Sequence, residues 1–189
     1  MKKLKIIIAV TGASGSVYAN EVFKTLAKNL EQLSRVDVIF SNEAISVWKH
    51  ELPNIDHSNF PFNYYHRSDF YAPCASGSND YDAMIICPCS MGTIGRIAHG
   101  ISNDLITRSA DVILKERKNL IIVAREAPYS EIHLQNMLSL THAGAIIYPA
   151  SPSFYQMPET IEEMAQDFTN RVLIKAGLNI KIKGWNNNE

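Results

Sequence analysis

The sequence has few cysteines, no excess of either charge and no long apolar run. Its 189 residues include three cysteines, and 18 Lys and Arg balance 19 Asp and Glu to a net charge of −1. Cys87 and Cys89 lack the CxxC spacing of zinc sites, so neither a disulfide framework nor a metal site is predicted. With this charge balance the protein has no net positive field that would attract nucleic acid or an anionic membrane surface. No run approaches the roughly 18 apolar residues of a membrane span. We expect one cytoplasmic domain over residues 1–189.

Short apolar runs predict the architecture. Most of them lack strict alternation, which is typical of strands buried on both faces of a parallel sheet. Stretches with helical spacing separate the runs, for example 103–117. The fold class is therefore α/β, an open parallel sheet with helices on both faces. The five predicted strands are Ile6 to Val10, Val36 to Phe40, Ala83 to Cys87, Leu120 to Ala124 and Ala145 to Tyr148.

Two further segments carry predictions of their own. Residues 53–79 form a long stretch rich in Asn, Ser, Pro and aromatics, which is typical of a functional loop or of one that contacts another subunit. The last helix is predicted to start at Pro158 and to stop at Gly177. Trp185 lies in an otherwise polar tail and needs a docking site.

Two turns after predicted strands are rich in small and hydroxylated residues. The first runs from Thr11 to Ser16, and the second from Cys87 to Thr93. A turn of this kind that opens a helix can offer N–H groups and hydroxyls to a phosphate. The first turn is not GxGxxG, a P-loop or GxSxG, and tight helix packing explains it about as well. Cys87 and Cys89 are expected to be buried and to have no catalytic role.

Charged and aromatic residues follow the other strands. Arg125 and Glu126 end the fourth predicted strand, where they form either a functional pair or a structural ion pair. Arg108 and Lys115 lie on nearly the same face of one helix, where they either hold an anion or are solvated. Carboxyl ends of parallel strands share one edge, so these turns are expected to converge there. Ser41, Tyr155 and Arg171 complete the predicted set.

Several motifs together resemble one family. GASG after the first strand, CPCSMGT after the third, NDLITRSADVILKERKNLIIVAREAPYS and SFYQMP are similar to the UbiX-like flavin prenyltransferases over nearly the whole chain. The resemblance implies a Rossmann-like fold. It also implies a metal-independent transfer of a dimethylallyl group from dimethylallyl monophosphate to reduced FMN. The product, prenylated FMN, would serve a UbiD-type decarboxylase. A homo-oligomer, by resemblance a dodecamer, is implied too.

The resemblance also assigns residues by position. Glu126 matches the acid/base residue of the family, and Lys115 and Ser14 belong to the implied catalytic set. Glu51 matches a further active-site carboxylate, although a solvated acid at a helix end explains it equally well. The implied FMN contacts are Gly12, Ala13, Ser14, Ser41, Ser90, Met91, Gly92, Thr93 and Arg125. The implied contacts of the prenyl phosphate are Arg108, Lys115, Tyr155, Arg171 and Trp185.

The chemistry fits these residue types. Breaking an allylic carbon–oxygen bond needs fixed positive charge beside the phosphate and π faces beside the prenyl fragment. Phe70 and Tyr71 of the long segment are further candidates for the π faces, and no DDxxD-like cluster is present to hold magnesium. An FMN-dependent decarboxylase of cysteine-terminated substrates is the alternative, but Tyr18, Ala19 and Asn20 stand where those relatives place a histidine. A non-catalytic FMN-binding module is the third possibility.

Overall fold

A six-stranded parallel sheet forms the centre of the molecule, in a computed structural model that describes residues 2–182 and 184. The strand order is β3-β2-β1-β4-β5-β6. The five predicted strands are confirmed, with slightly different ends. The strands are β1 Leu4–Val10, β2 Leu33–Phe40, β3 Asn63–Tyr65, β4 Ala83–Cys89, β5 Asn119–Ala124 and β6 Ile146–Pro149.

Strand β3 lies inside residues 53–79, so the prediction of a wholly irregular segment there was wrong. Its three residues pair with Asp37 to Ile39 at one edge of the sheet. The Asn63 amide donates to the Asp37 carboxylate at 3.1 Å, and Tyr81 also donates to that buried carboxylate. A strand this short and polar leaves no apolar run in the sequence, because a side-chain network stabilises it.

Six α-helices of the described residues cover the sheet on both faces, as predicted. Alternate residues of one strand serve opposite faces: Ile6 and Ile8 pack in one core cluster and Ile7 in the other. Each of these three side chains is fully buried, which contributes about 1.5–3 kcal/mol apiece. The helices are α1 Ser16–Lys28, α2 Asn42–Glu51, α3 Met91–Ala98, α4 Leu105–Lys115, α5 Glu131–His142 and α6 Ile161–Lys175.

Helix α6 starts three residues later than predicted. The Thr160 hydroxyl accepts a hydrogen bond from the Glu163 amide at 3.1 Å, which fixes the first turn at Ile161. Pro158 therefore lies in the preceding loop. The predicted end is confirmed, because Gly177 follows the helix with a φ of +105°. No helix of residues 2–182 and 184 is both long and apolar enough to span a membrane.

The parallel strands direct all their carboxyl ends to one side, which we call the carboxyl edge; the opposite side is the amino edge. Strands β1 and β4 are neighbours although β2 and β3 come between them in sequence. The chain thus leaves β1 toward one side and β4 toward the other, which opens a crevice between the two βα turns. Those turns are the two hydroxylated turns singled out in the sequence.

Candidate active site

The N-terminus of α1 is occupied by the carboxylate of Glu51. Its Oε2 atom accepts hydrogen bonds from the amides of Gly15 at 3.0 Å and Ser16 at 2.7 Å. Burial alone would raise the pKa of Glu51, but hydrogen bonds from Ser14 and Ser16 outweigh it and hold the pKa below its ordinary value. Of the two alternatives for Glu51, the solvated acid at a helix end was therefore wrong. An anion at this helix end would meet a negative charge.

A second carboxylate stands at the N-terminus of α2. Hydrogen bonds from its own amide and from the Ser41 hydroxyl lower the pKa of Glu43. Ser41 caps the helix by accepting from the Ala44 amide at 3.1 Å. A side chain on Gly12 would collide with Glu43, since a Cβ there would lie 2.5 Å from the Glu43 Cβ. The first turn thus approaches α2 as closely as glycine allows.

The N-terminus of α3 lies at the second hydroxylated turn, where the sequence predicts FMN contacts. Ser90 caps this helix, and its hydroxyl lies 3.1 Å from that of Thr93. A Cβ added to Gly92 would meet nothing within 4 Å, so it would project into open space. This N-terminus opens onto a cleft of about 360 Å³, which we call the phosphate cleft. Its lining residues are Thr11, Gly12, Ser41, Glu43, Ser90, Gly92, Thr93 and Arg96.

Sequence reasoning missed Glu43 and also the cation that lines this cleft, Arg96. Its Nη2 atom donates to the Thr93 hydroxyl at 3.2 Å, and its Nη1 atom donates to the Asp104 carboxylate at 2.7 Å. The sequence did carry a signal. Arg96 follows Thr93 by three residues, so the two side chains share one face of α3.

Arg125 and Glu126 follow β5 at the carboxyl edge, as predicted. The Arg125 amide donates to the Cys89 carbonyl at 3.1 Å, which joins this turn to the end of β4. Glu126 accepts a hydrogen bond from the Ala127 amide at 3.0 Å. Both side chains are exposed, and within the described part of the chain they form no ion pair with each other. The alternative of a structural ion pair between them was wrong.

Tyr155 and Arg171 form a pair beyond β6. The Arg171 guanidinium donates to the Tyr155 hydroxyl and lies 5.6 Å from the centroid of its ring. Asp167 accepts from Arg171 at 3.4 Å and from the Ser153 hydroxyl at 3.0 Å. The loop after β6 and helix α6 therefore present a cation and a π face together, and the contact of these two residues with the prenyl phosphate stays a prediction.

Three aromatic rings pack together where α1, β6 and α6 meet. The ring centroid of Phe168 lies 5.0 Å from that of Tyr18 and 5.3 Å from that of Tyr148. Burial raises the pKa of Tyr18, while the positive charge of Arg125 acts against it. Arg171 likewise acts to lower the pKa of Tyr148, although burial wins. Arg125 therefore lies near Tyr18, and Arg171 lies near Tyr148.

Lys115 does not reach this edge in its own chain. Helix α4 returns from the carboxyl end of the sheet to the start of β5, so its last residue lies at the amino edge. There the Lys115 ammonium pairs with Glu116 beside Gly77. Arg108, two turns earlier, donates to the Ala75 carbonyl at 3.1 Å and pairs with Asp111. Lys115 therefore lies apart from Glu126 and Tyr155 within one chain, and its contact with the prenyl phosphate stays a prediction.

The remaining predicted residues divide into three groups. Met91 is 7% exposed and belongs to the core, so only its backbone is available to a ligand. Phe70 and Tyr71 are exposed, Tyr71 completely, and Trp185 lies outside the described residues. Cys87 and Cys89 are fully buried as expected, and burial raises the pKa of both thiols. Residues 2–182 and 184 contain no group of three His, Cys, Asp or Glu that could hold a metal.

The residues predicted to contact FMN border two different clefts at the carboxyl edge. Ala13 and Ser14 lie in the first turn, and Ser14 also lines a separate open cleft of about 280 Å³ beside Glu51 and Ile161. This second cleft adjoins the start of α6, which carries Arg171 farther along. The geometry thus offers a phosphate cleft on one side of the first turn and a second cleft on the other.

Comparison with known proteins gives consistent results. The Flavoprotein family model matches residues 1–172. The flavin prenyltransferase UbiX of Methanocaldococcus jannaschii is 43% identical over 186 residues, which cover 96% of this chain and 98% of the relative.

Two solved structures are similar throughout. AnUbiX (PadA1) in complex with FMN and dimethylallyl pyrophosphate has a TM-score of 0.88 and 37% identity, over 97% of this chain and all of that one (100%). A dodecameric FMN-dependent UbiX-like decarboxylase from Escherichia coli O157:H7 has a TM-score of 0.89 and 33% identity, over 96% of this chain and 99% of that one. The chain therefore belongs to the Flavoprotein family, and within it to the UbiX-like flavin prenyltransferases.

Proposed function

We propose that the protein transfers a dimethylallyl group from dimethylallyl monophosphate to reduced FMN and releases prenylated FMN. One observation carries the proposal. The carboxyl edge carries a phosphate cleft at α3 and, on the loop after β6 and on helix α6, a second cationic and aromatic group, Tyr155 with Arg171. A protein that only stores FMN has no need of the second group. Relatives named flavin prenyltransferase support the same reaction.

The chain's own residues would hold FMN at the crevice. The hydroxyls of Ser41, Ser90 and Thr93 and the α3 N-terminus would hold its phosphate, where N–H groups and the helix dipole favour an anion. Gly12 and Gly92 permit a close approach of the ligand. Arg125, exposed at the end of β5, would lie toward the isoalloxazine. Reduced FMN supplies the nucleophilic ring that accepts the prenyl carbon.

Fixed charge on the protein would stabilise the departing phosphate. Cleavage of the allylic carbon–oxygen bond leaves the electron pair on the phosphate oxygen, so negative charge grows there. Preorganised cations are the most effective stabilisers of such charge, and Arg171 is already held by Tyr155 and Asp167. The Tyr155 ring offers its π face to the cationic prenyl fragment.

Glu126 is the candidate acid/base. Its carboxylate is exposed at the carboxyl edge, next to Arg125, and accepts a hydrogen bond from the Ala127 amide. It can therefore take up a proton that ring closure releases and pass it to the departing phosphate. Glu51 is less suited to that task. Its carboxylate is already bound to amides of α1, and its pKa is lowered.

Lys115 would act in the site of another copy of the chain. It lies at the amino edge, away from Glu126 and Tyr155, so a complete site needs two copies that face each other by different edges. A homo-oligomer, in line with the dodecameric relative, satisfies this requirement. Arg108 lies on the same face of α4 as Lys115 and would enter the same contact.

Three further assignments belong to the proposal. The product would be handed to a UbiD-type decarboxylase. The enzyme would work in the cytoplasm, a reducing compartment that suits three free, buried thiols. Residues 1–189 would act as one flavin-binding domain.

An anaerobic assay with purified protein tests the reaction. The protein is incubated with reduced FMN and dimethylallyl monophosphate, and the flavin is analysed by mass spectrometry. We expect a mass gain of one dimethylallyl unit, and none with dimethyl sulfoxide in place of the donor. An unchanged flavin would refute the proposal.

A parallel incubation tests the alternative. Cysteine-terminated peptides and oxidised FMN replace the two substrates, and carbon dioxide is measured. The name of the Escherichia coli neighbour makes decarboxylation the competing activity. Carbon dioxide release without flavin modification would favour it over prenyl transfer.

A further inference from the structure

We propose that Arg96 binds the phosphate of FMN and that Asp104 holds its guanidinium in position. The inference rests on the proposed binding of FMN and extends it to residues outside the motifs that the resemblance assigned. Arg96 lines the phosphate cleft together with Ser90 and Thr93. Among the described residues that line this cleft, Arg96 is the sole Lys or Arg.

The guanidinium is fixed by three hydrogen bonds to side chains. Its Nη1 atom donates to Asn103 at 3.0 Å and to Asp104 at 2.7 Å, and its Nη2 atom donates to Thr93 at 3.2 Å. These bonds use both protons of Nη1 and one of Nη2. The Nε proton and the second Nη2 proton have no acceptor within the described ranges. A planar fork with two available protons matches the oxygens of a phosphate.

Asp104 is a rigid anchor for this guanidinium. Its side chain is 4% exposed, and it caps α4 by accepting from the Thr107 amide at 2.8 Å. Burial would raise the pKa of Asp104, but hydrogen bonds from Thr107 and Arg96 outweigh it, so the acid is charged. A capped helix therefore holds the carboxylate, and the carboxylate holds Arg96. Arg96 reaches the cleft with little of its conformational freedom left to lose.

Charge inside the cleft makes a cation necessary there. A phosphate monoester carries up to two negative charges, and Glu43 adds another in the same cleft. Both Arg67 and Arg96 act to lower the pKa of Glu43, so both cations lie near this acid. The α3 dipole is worth about half a charge, which cannot offset a phosphate beside a carboxylate. Arg96 supplies the missing positive charge at hydrogen-bonding distance from Thr93.

The comparison of FMN with riboflavin isolates the phosphate. Flavin-free Arg96→Gln and wild-type protein are titrated with each flavin, and binding is followed by quenching of flavin fluorescence. We expect the variant to bind FMN about 10- to 100-fold more weakly, the loss typical of a hydrogen bond between charged groups. Riboflavin affinity should change by less than about threefold, because riboflavin offers the cleft no phosphate. Lys28→Gln removes one exposed cation at the far end of α1 and should alter neither affinity.

A second pair of variants keeps the test valid if Arg96→Gln disturbs the fold. Losing Arg96 leaves the buried Asp104 carboxylate without its cation. Asp104→Asn removes that unpaired charge and keeps the cap of α4, because asparagine also caps helices. The double variant Arg96→Gln with Asp104→Asn is therefore compared with Asp104→Asn alone. A weaker FMN affinity in the double variant supports direct binding by Arg96. Equal FMN affinities would overturn it.

The results separate the two proposals. If wild type prefers FMN over riboflavin and Arg96→Gln keeps that preference, the role of Arg96 is refuted and FMN binding stands. If wild type does not prefer FMN, the phosphate cleft and the proposed function fail together.

Discussion

Replacing Glu51 with alanine tests whether a carboxylate really seals the N-terminus of α1. The change removes the acceptor of the Gly15 and Ser16 amides and a negative charge at the positive end of a helix. A hydrogen bond to a charged group contributes about 1.5–3 kcal/mol. The interaction with the helix dipole adds about 0.3–1 kcal/mol.

The open cleft beside Glu51 reduces the loss, because water can reach the amides that the carboxylate leaves. We therefore expect a net destabilisation of about 2 kcal/mol, which lowers the melting temperature by about 4–8 °C for a chain of this size. Thermal unfolding followed by circular dichroism at pH 7 and fixed protein concentration measures it. Glu31→Ala, which removes an exposed carboxylate, is the matched control.

The pH dependence has a defined sign. The pKa of Glu51 in the folded protein lies below its ordinary value of 4.5, so the carboxylate stabilises the fold above that pH. This stabilisation is lost as the pH falls through the lowered pKa. The difference in melting temperature between wild type and Glu51→Ala should therefore be constant from pH 8 to pH 5. It should shrink at about pH 4 and below, where Glu51 begins to take up a proton.

Sulfate provides an independent check. In Glu51→Ala the freed amides form an anion site, so sulfate should raise the melting temperature of the variant more than that of wild type at equal ionic strength. Equal melting temperatures of variant and wild type at pH 7, or a difference that persists unchanged in acid, would refute this account of Glu51.

Three further predictions concern the site. Gly92→Ala should raise the melting temperature, because alanine is the better helix former by up to about 1 kcal/mol. It should also weaken FMN binding, because the added methyl group fills the cleft. An unaltered FMN affinity would show that the phosphate lies elsewhere. Glu126→Gln should bind FMN as wild type does but form prenylated FMN far more slowly in the anaerobic assay, and normal turnover would remove Glu126 from the mechanism. Lys115→Ala and Glu126→Gln chains, each inactive alone, should regain about a quarter of wild-type activity when co-expressed, because random mixing in a symmetric oligomer completes that share of two-copy sites. Without recovery, Lys115 and Glu126 would either act in a site formed by a single chain, or at least one of them would lie outside the site.

Much of the fold follows from local patterns in the sequence. Runs such as Ile6 to Val10 are apolar without alternation because both faces of the strand are buried, so they identified five of the six strands. Strand β3 escaped because its pairing depends on Asn63, Tyr81 and the buried Asp37, which are far apart in sequence. The start of α6 was misplaced because the Thr160 cap outweighs the preference of Pro158 for a first turn.

The candidate site was less predictable than the fold. Residues that directly follow strands, such as Ser90 and Arg125, could be placed at the carboxyl edge from topology alone. Glu51 and Arg96 lie inside helices, where their type suggests solvated surface. Their roles depend on contacts with Ser16 and Asp104 that only the folded chain creates. The edge at which Lys115 lies could not be predicted for a different reason: a pattern on a helix face does not say which edge of the sheet that end of the helix reaches.

The tight contact of Gly12 with Glu43 couples two positions that are 31 residues apart. Any larger residue in the turn requires a smaller one at the start of α2, so substitutions at these two sites should occur together in homologous sequences. An unchanging glycine in such an alignment would then record steric exclusion by a neighbouring helix as well as contact with a flavin, and its invariance alone could not identify a ligand.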